Sequence, residues 1–486
     1  MLLRRRGVRL IPPTYRYIST PSRSLILPLT SSRGISTQRR PSSTLTATDN
    51  DSIPPHSSLS HTTPSPSPLR PTPLATLPTS YLLRTIFICT ISTSPVLSNI
   101  LTRALLAYTH FLTSNPLTRF LIQHTFYDHF CAGTSHPEIQ TTLARLKSWG
   151  FRGIILAYAK EVEVEASSAS ATTSSQSADE QSTAADIAAW RDGNIRTIEY
   201  SEPGSFIAIK YSGAGASSVL AMEARTPPPP PPSPAFFKAL DDICLAAQAR
   251  GNVRLLFDAE QTRYQDAMDG YTLALMRKYN SRDKPPTVYN TYQMYRRASP
   301  SNLSKHLETA KREGFAFGAK VVRGAYLHSD PRETFWSTKE QTDAAYDAGI
   351  STLLTFNNSE NGGSSETDSG INVGMVIATH NQESVDAAMT LLRQLKATGG
   401  HTLQRKDITF AQLAGMADEV SMSVINGDAS AGEPVNVVKY IPWGTMEECV
   451  KYLLRRADEN KDSLKRTGST RRAAWDELWR RVFGRA

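Results

Sequence analysis

The stretch YLLRRADEN, residues 452–460, places two guanidiniums between a phenol and a carboxylate. Tyr452, Arg455, Arg456 and Glu459 are spaced i, i+3, i+4 and i+7, which puts them on one helical face. Neighbouring guanidiniums grip a carboxylate through parallel N–H donors, so this face suits an anionic ligand. A solvated basic face with an Arg456–Glu459 pair is the competing reading of the same spacing. Leu453, Leu454 and Ala457 form a separate apolar stripe that can pack on a protein body. Thr445 and Glu448 have capping-box spacing, which predicts a helix start near Met446.

A second set of polar residues closes a series of apolar runs. Lys210 follows FIAI, Asp258 and Glu260 follow VRLLF, and Tyr292 and Gln293 end TVYNTYQ. Lys320, Arg323 and Tyr326 lie in FGAKVVRGAY, Thr379, His380 and Asn381 follow GMVIA, and Tyr440 lies in VNVVKYIPW. Each alone has a plain structural role, such as capping a strand edge or satisfying backbone groups. Gathered in one mouth, so many ionisable groups are costly to bury unless they pair or meet a ligand. Bases outnumber acids among them, which favours an anionic cofactor or substrate. There is no HxH, HExxH or His/carboxylate cluster of metal-ligand spacing, no phosphate-loop lysine motif and no GxSxG nucleophile elbow. GAGASS (213–218) lacks the third glycine of a dinucleotide fingerprint and reads as a flexible turn with no clear helix behind it.

The elements that position these residues alternate. Eight short apolar runs span 153–159, 206–212, 253–260, 287–293, 317–326, 374–381, 419–424 and 435–443. Most precede helix-period segments, among them 302–314, 383–399 and 445–464. Eight β/α repeats argue for an α/β fold of the (β/α)8 barrel type, with a doubly wound open sheet as the alternative. In a barrel, the strand-end residues share the C-terminal mouth.

Charge is unevenly placed. Residues 1–48 hold nine arginines and no Lys, Asp or Glu, and without them the remaining 45 basic residues equal the 45 acidic ones. The neutral body gives no argument for nucleic-acid binding, and the acid-free Arg/Ser/Thr-rich start reads as a mitochondrial transit peptide. Residues 49–79 read as a disordered linker and 80–135 as an N-terminal helical region. That region is either a set of packed helices or a helical hairpin lying on a membrane surface, since Arg84, Pro95, Asn99 and Arg103 interrupt any span. Residues 136–486 form the barrel domain, with low-complexity surface insertions at 166–184, 227–235 and 357–370. Cys89, Cys131, Cys244 and Cys449 are scattered without a CxxC pair and read as reduced thiols.

The ordered segments VYNTYQMY, AKREGFAFGAKVVRGAYL, TKEQTDAAY, IATHNQESV, QLAGMAD and YLLRRADEN resemble proline dehydrogenase, the FAD enzyme of mitochondrial proline catabolism, over roughly residues 120–482. The resemblance implies a distorted (β/α)8 barrel with FAD at the strand C-termini. It implies oxidation of L-proline to Δ1-pyrroline-5-carboxylate by hydride transfer to flavin N5, with electrons passing to ubiquinone at the inner mitochondrial membrane. By position, Lys210, Arg455 and Arg456 hold the proline carboxylate, and Asp258 is an essential carboxylate. Tyr326, Leu413, Tyr440 and Tyr452 wall the ring, while Gln293, Lys339, Thr379, His380, Asn381 and the strand-five bases Lys320 and Arg323 lie in or near the flavin site. Glu459 fixes the arginine helix. Lys320 stands where bacterial members carry an arginine facing the flavin, so either Lys320 or Arg323 tunes it here. In the sister hydroxyproline enzyme a small polar residue replaces the tyrosine at the Tyr440 position, so Tyr440 favours proline.

Overall fold

Short runs rich in Ile, Val, Leu and Phe that are buried on both faces can form strands only where every strand edge is paired and both faces are covered. The computed structural model meets that condition with a closed barrel of eight parallel strands in sequence order. It describes residues 72–159, 176–223, 232–356, 370–398, 403, 405–429, 435–459 and 464–484. The expected transit peptide, most of the linker and residues 166–175, 227–231 and 357–369 of the insertions lie outside the described residues.

The chain enters through α1 (Thr79–Thr93), α2 (Pro95–Ser114), α3 (Pro116–Ile122), α4 (Asp128–Phe130) and α5 (His136–Ser148). The first half of the barrel is β1 (Gly153–Tyr158), α6 (Gln176–Tyr200), β2 (Phe206–Ile209), α7 (Ala216–Ala221), α8 (Pro234–Ala249), β3 (Arg254–Phe257), α9 (Thr262–Tyr279) and β4 (Val288–Gln293). The second half is α10 (Ser299–Glu313), β5 (Phe317–Val322), α11 (Lys339–Thr355), β6 (Val373–Ala378), α12 (Gln382–Ala397), β7 (Lys406–Leu413), α13 (Asp418–Ala429), β8 (Asn436–Trp443) and α14 (Met446–Glu459), with α15 (Leu464–Phe483) after it. β1 and β8 close the ring, with Ile155 paired to Tyr440 and Leu156 to Ile441.

Alternation along the strands divides the core into two layers. Ile155, Phe206, Leu256, Tyr289, Val376 and Val438 fill the barrel interior. The opposite faces pack against the helices in a larger cluster that includes Leu156, Ile207, Leu255, Phe257, Val373 and Phe410. In the upper interior, Ala157 pairs in register with Ala208, and Ala378 with Ala411. Four small side chains thus lie at that level, above the packed layers.

Three expectations change. Residues 419–424 are not the seventh strand but the start of α13, and β7 is KDITFAQL at Lys406–Leu413. The buried Val420, Met422 and Val424 recur every second residue, which imitates a strand, but Ser421 between them is buried too. Asp418 and Glu419 in the first turn favour a helix start through its dipole. A short helix, α7, does open behind GAGASS, with Gly215 at φ 96° as its N-cap and Val219 buried. Residues 176–184 of the first insertion form the leading turns of α6.

Candidate active site

The carboxyl ends of the strands bring Asp258, Lys320 and Tyr440 together. Asp258 directly follows β3, Lys320 lies on β5 and Tyr440 on β8. Lys320 forms an ion pair with Asp258 Oδ1, and Tyr440 Oη donates to Asp258 Oδ2 at 3.1 Å. The Lys320 ammonium also stands 5.7 Å from the Tyr440 ring centre. The side chains of Lys320 and Asp258 are only 6 % and 12 % exposed, so this is a buried charge pair. Such a pair persists because each charge meets the other, and removing one partner strands its mate.

Neighbouring strand ends extend the cluster. The Asp258 amide donates to Ile209 O at 2.8 Å, which ties it to the strand that delivers Lys210. Glu260 accepts from the Ser212 amide at 3.0 Å, and Gln293 Nε2 donates to Glu260 O at 2.8 Å. These bonds brace the loops after β2, β3 and β4 against one another. On the other side of the mouth, the Leu413 amide donates to His380 Nε2 at 3.0 Å, fixing the ring of His380 between β6 and β7.

Lys320 and Arg323 part company. They are three residues apart, an odd offset, so the pleat sends them to opposite faces. Arg323 points outward to Asp343 Oδ1 (2.8 Å), Thr379 Oγ1 (2.6 Å) and Ser384 Oγ (2.9 Å), and lies 4.3 Å over the Tyr346 ring. Lys339 stands at the exposed start of α11, paired with the same Asp343. Asn381 is the N-cap of α12 and accepts from the Glu383 amide at 2.8 Å. Arg323, Lys339 and Asn381 thus lie outside the Asp258–Lys320–Tyr440 cluster. Tyr326, half-buried in the loop after β5, accepts from the Asp330 amide at 3.0 Å.

The α14 helix starts where its sequence says it should. Thr445 Oγ1 donates to Glu448 Oε2 at 2.9 Å and accepts from the Glu448 amide at 3.3 Å. The preceding Gly444 has φ 151°, and an added Cβ there would press against Glu448 and Ala159. Tyr127 Oη donates to Gly444 O at 2.9 Å, which fastens the turn from below. Tyr452 is buried with Tyr127, Cys131, Cys449 and Leu454, and Tyr440 packs against the same group. Arg455, Arg456 and Glu459 belong to α14, and their side chains lie outside the described residues.

Two groups escaped the reading of the sequence. Thr291 Oγ1 is buried with no hydrogen-bond partner among the described residues, and Thr291 pairs in register with Lys320. Period two back from Gln293 was the signal that marks it. Lys439, beside Tyr440 but on the outer face, forms a buried ion pair with Asp418 at 2.7 Å and donates to Met416 O at 2.9 Å. The mouth therefore offers a buried hydroxyl with no partner among the described residues, a buried cation and four alanines, a set of groups compatible with a flat ring that becomes anionic on reduction. FAD fits these residues.

The chain matches the family model described as proline dehydrogenase over residues 139–469. A Schizosaccharomyces pombe protein named "probable proline dehydrogenase, mitochondrial" is 28 % identical over 411 residues, 76 % of this chain and 81 % of that one. The Homo sapiens protein named "proline dehydrogenase 1, mitochondrial" is 34 % identical over 252 residues, 50 % of this chain and 38 % of that one. Proteins named hydroxyproline dehydrogenase, from Xenopus laevis and Mus musculus, match as well. A crystal structure of proline utilization A from Bdellovibrio bacteriovorus shares the fold at TM-score 0.52 and 15 % identity, covering 71 % of this chain and 34 % of that one. The chain thus spans most of the yeast relative but little more than a third of the human and bacterial ones.

Proposed function

From the premise that the chain belongs to the proline dehydrogenase family, we propose that it oxidises L-proline to Δ1-pyrroline-5-carboxylate, the first step from proline to glutamate. The observation that carries this reading is the buried Asp258–Lys320–Tyr440 cluster beside the arginine helix. FAD, when bound, supplies the two-electron acceptor for the C–H bond next to the ring nitrogen. Gln293, Lys320 and His380 would hold it at the strand ends, with Thr291 as a further donor, while Thr379 would act from the helix-facing side through Arg323, from which its hydroxyl accepts.

The chain's own residues do the positioning. Lys210, Arg455 and Arg456 bind the substrate carboxylate, with Glu459 holding the arginines in place. Tyr326, Leu413, Tyr440 and Tyr452 enclose the ring and exclude water. Asp258 fixes Tyr440 through its hydroxyl and balances Lys320. A clamp at one end and a wall at the other leave the ring little freedom, and such positioning lowers the barrier without a nucleophile or strong base. A fixed cation at Lys320 favours the reduced, anionic cofactor. Electrons leave to ubiquinone at the matrix side of the inner mitochondrial membrane, in keeping with relatives named mitochondrial.

Anaerobic titration of the FAD-loaded protein with L-proline tests the proposal. Bleaching of the oxidised flavin band is expected. A spectrum unchanged by proline, or a protein that takes up no FAD, overturns it. Hydroxyproline is the second substrate to weigh, because relatives of that name match. With Tyr440 as a wall of the ring, its hydroxyl held by Asp258, L-proline should turn over faster than trans-4-hydroxy-L-proline.

A further inference from the structure

The region from Thr79 to Tyr127 contains no Asp or Glu and carries Arg84, Arg103 and Arg119. Within it, α2 and α3 turn large apolar side chains outward. Val96, Ile100, Leu106, Phe111, Leu117 and Phe120 are each between 59 and 68 % exposed. Scattered exposed apolar residues are ordinary on a protein surface, but this many on two consecutive helices mark an interaction face. Arg103 and Arg119 are exposed among them.

No helix among the described residues is long and apolar enough to cross a membrane, and α1 and α2 meet at 96°. A bent, basic, apolar pair has the composition of an element that lies in the plane of a bilayer with its apolar side in the acyl boundary. The charge pattern selects among occupants. The carboxylates that reach this region are already engaged, Glu447 by Lys451 and His110 and Asp128 by His124 and Gln123, so a two-fold contact with a second copy would set arginine against arginine. Anionic lipid headgroups supply the missing negative charge, and acyl chains accept the apolar residues.

We propose that the outer face of α2 and α3 seats the protein on an anionic lipid surface. The inner side of α2 packs against α14, and Leu105 joins the cluster that buries Tyr452. Seating α2 therefore places the wall of the proline pocket directly behind the lipid contact. That meaning rests on the reading of a membrane-borne quinone as electron acceptor.

The test compares the full chain with the variant Ile100→Glu/Phe111→Glu in co-sedimentation with phosphatidylcholine vesicles, with and without phosphatidylglycerol. Both positions are exposed and lie outside the pocket, so proline oxidation with a water-soluble dye acceptor should be unchanged. Two carboxylates in place of two exposed apolar side chains should weaken partition onto the anionic vesicles by at least about tenfold. Turnover with quinone dissolved in those vesicles should fall in parallel. The arginine-rich residues 1–48 are common to both chains. Equal binding by the two would assign the contact to that tail and overturn the proposal. A dimer in solution that the variant disperses, with no vesicle binding by either chain, would assign the face to a second copy and overturn it as well. Vesicle binding is read without turnover, so its failure and a failure of proline oxidation are separate results.

Discussion

Asp258 directly follows β3 and Lys320 lies on β5, with β4 between them, and they meet only because the barrel curls both side chains into one interior. Period two is compatible with both facing inward, but nothing in a linear pattern says that they touch. The pair makes a sharp prediction. Lys320→Met leaves the Asp258 carboxylate buried without its cation and should lower the unfolding free energy by about 3–5 kcal/mol in urea titrations. Adding Asp258→Asn should recover most of that loss; a purely additive double variant would show that the two do not interact energetically. The arginine clamp answers to kinetics instead. Arg455→Met or Arg456→Met should raise the KM for proline about 30-fold or more, since a charged hydrogen bond to a carboxylate contributes about 2–4 kcal/mol, while FAD remains bound. An unchanged KM in both variants refutes the clamp.

At the scale of elements, α14 has to hold its angle against the barrel for Tyr452 and the arginines to serve one pocket. Its first turn is fixed by the Thr445–Glu448 box, and Tyr158 Oη reaches Glu448 Oε1 at 3.3 Å. Thr445→Ala should cost about 1 kcal/mol of stability. Because the helix start would fray at the pocket wall, KM should rise more than kcat falls; a stability loss with both constants unchanged would make the cap purely structural. The box was legible in the sequence because its two residues are local and their chemistry is specific. Seven of the eight strands were legible for a similar reason: a parallel barrel strand is a compact apolar run. β7 was not, because its first three residues, Lys406, Asp407 and Ile408, are only half-buried and two of them are charged. A neighbouring helix with apolar residues at every second position stood out instead. Arg323 shows the same limit. Its type suited an anion site, but the odd spacing from Lys320 carries it to the helix-facing side, where Asp343, Thr379 and Ser384 take its donors.

At the scale of the whole molecule, the N-terminal helices are locked to the barrel through buried polar groups, and these should make stability depend on pH. Tyr81 on α1 donates to Asp418 Oδ2 at 2.8 Å, and Asp418 in turn pairs with Lys439 on β8. The His129 ring stacks on Tyr81 at 4.8 Å. Burial pulls the His129 imidazole from 6.5 to about 4, with Asp418 opposing the shift and Arg84 and Lys439 reinforcing it. Burial lowers His306, beneath Tyr292, to about 4 as well. Both rings are therefore neutral in the folded state while the unfolded chain binds protons from 6.5 downward. Their contribution is complete above pH 6.5 and is lost as pH falls toward 4, about 2–4 kcal/mol for each. Asp269 acts in the opposite sense. Burial raises its carboxyl from 3.8 to about 6 against hydrogen bonds from Asn290 and Gln265, so its folded form favours the proton and stability falls as pH rises through that range. Two histidines against one carboxyl leave a net loss on acidification, about the contribution of one histidine. Thermal unfolding followed from pH 7 to pH 4.5 should show that decline. His129→Phe keeps an aromatic ring against Tyr81 and removes the titration, so its midpoint should vary less with pH than that of the parent chain. Parallel pH profiles for the two proteins would place the acid sensitivity elsewhere than at the junction of the N-terminal helices and the barrel.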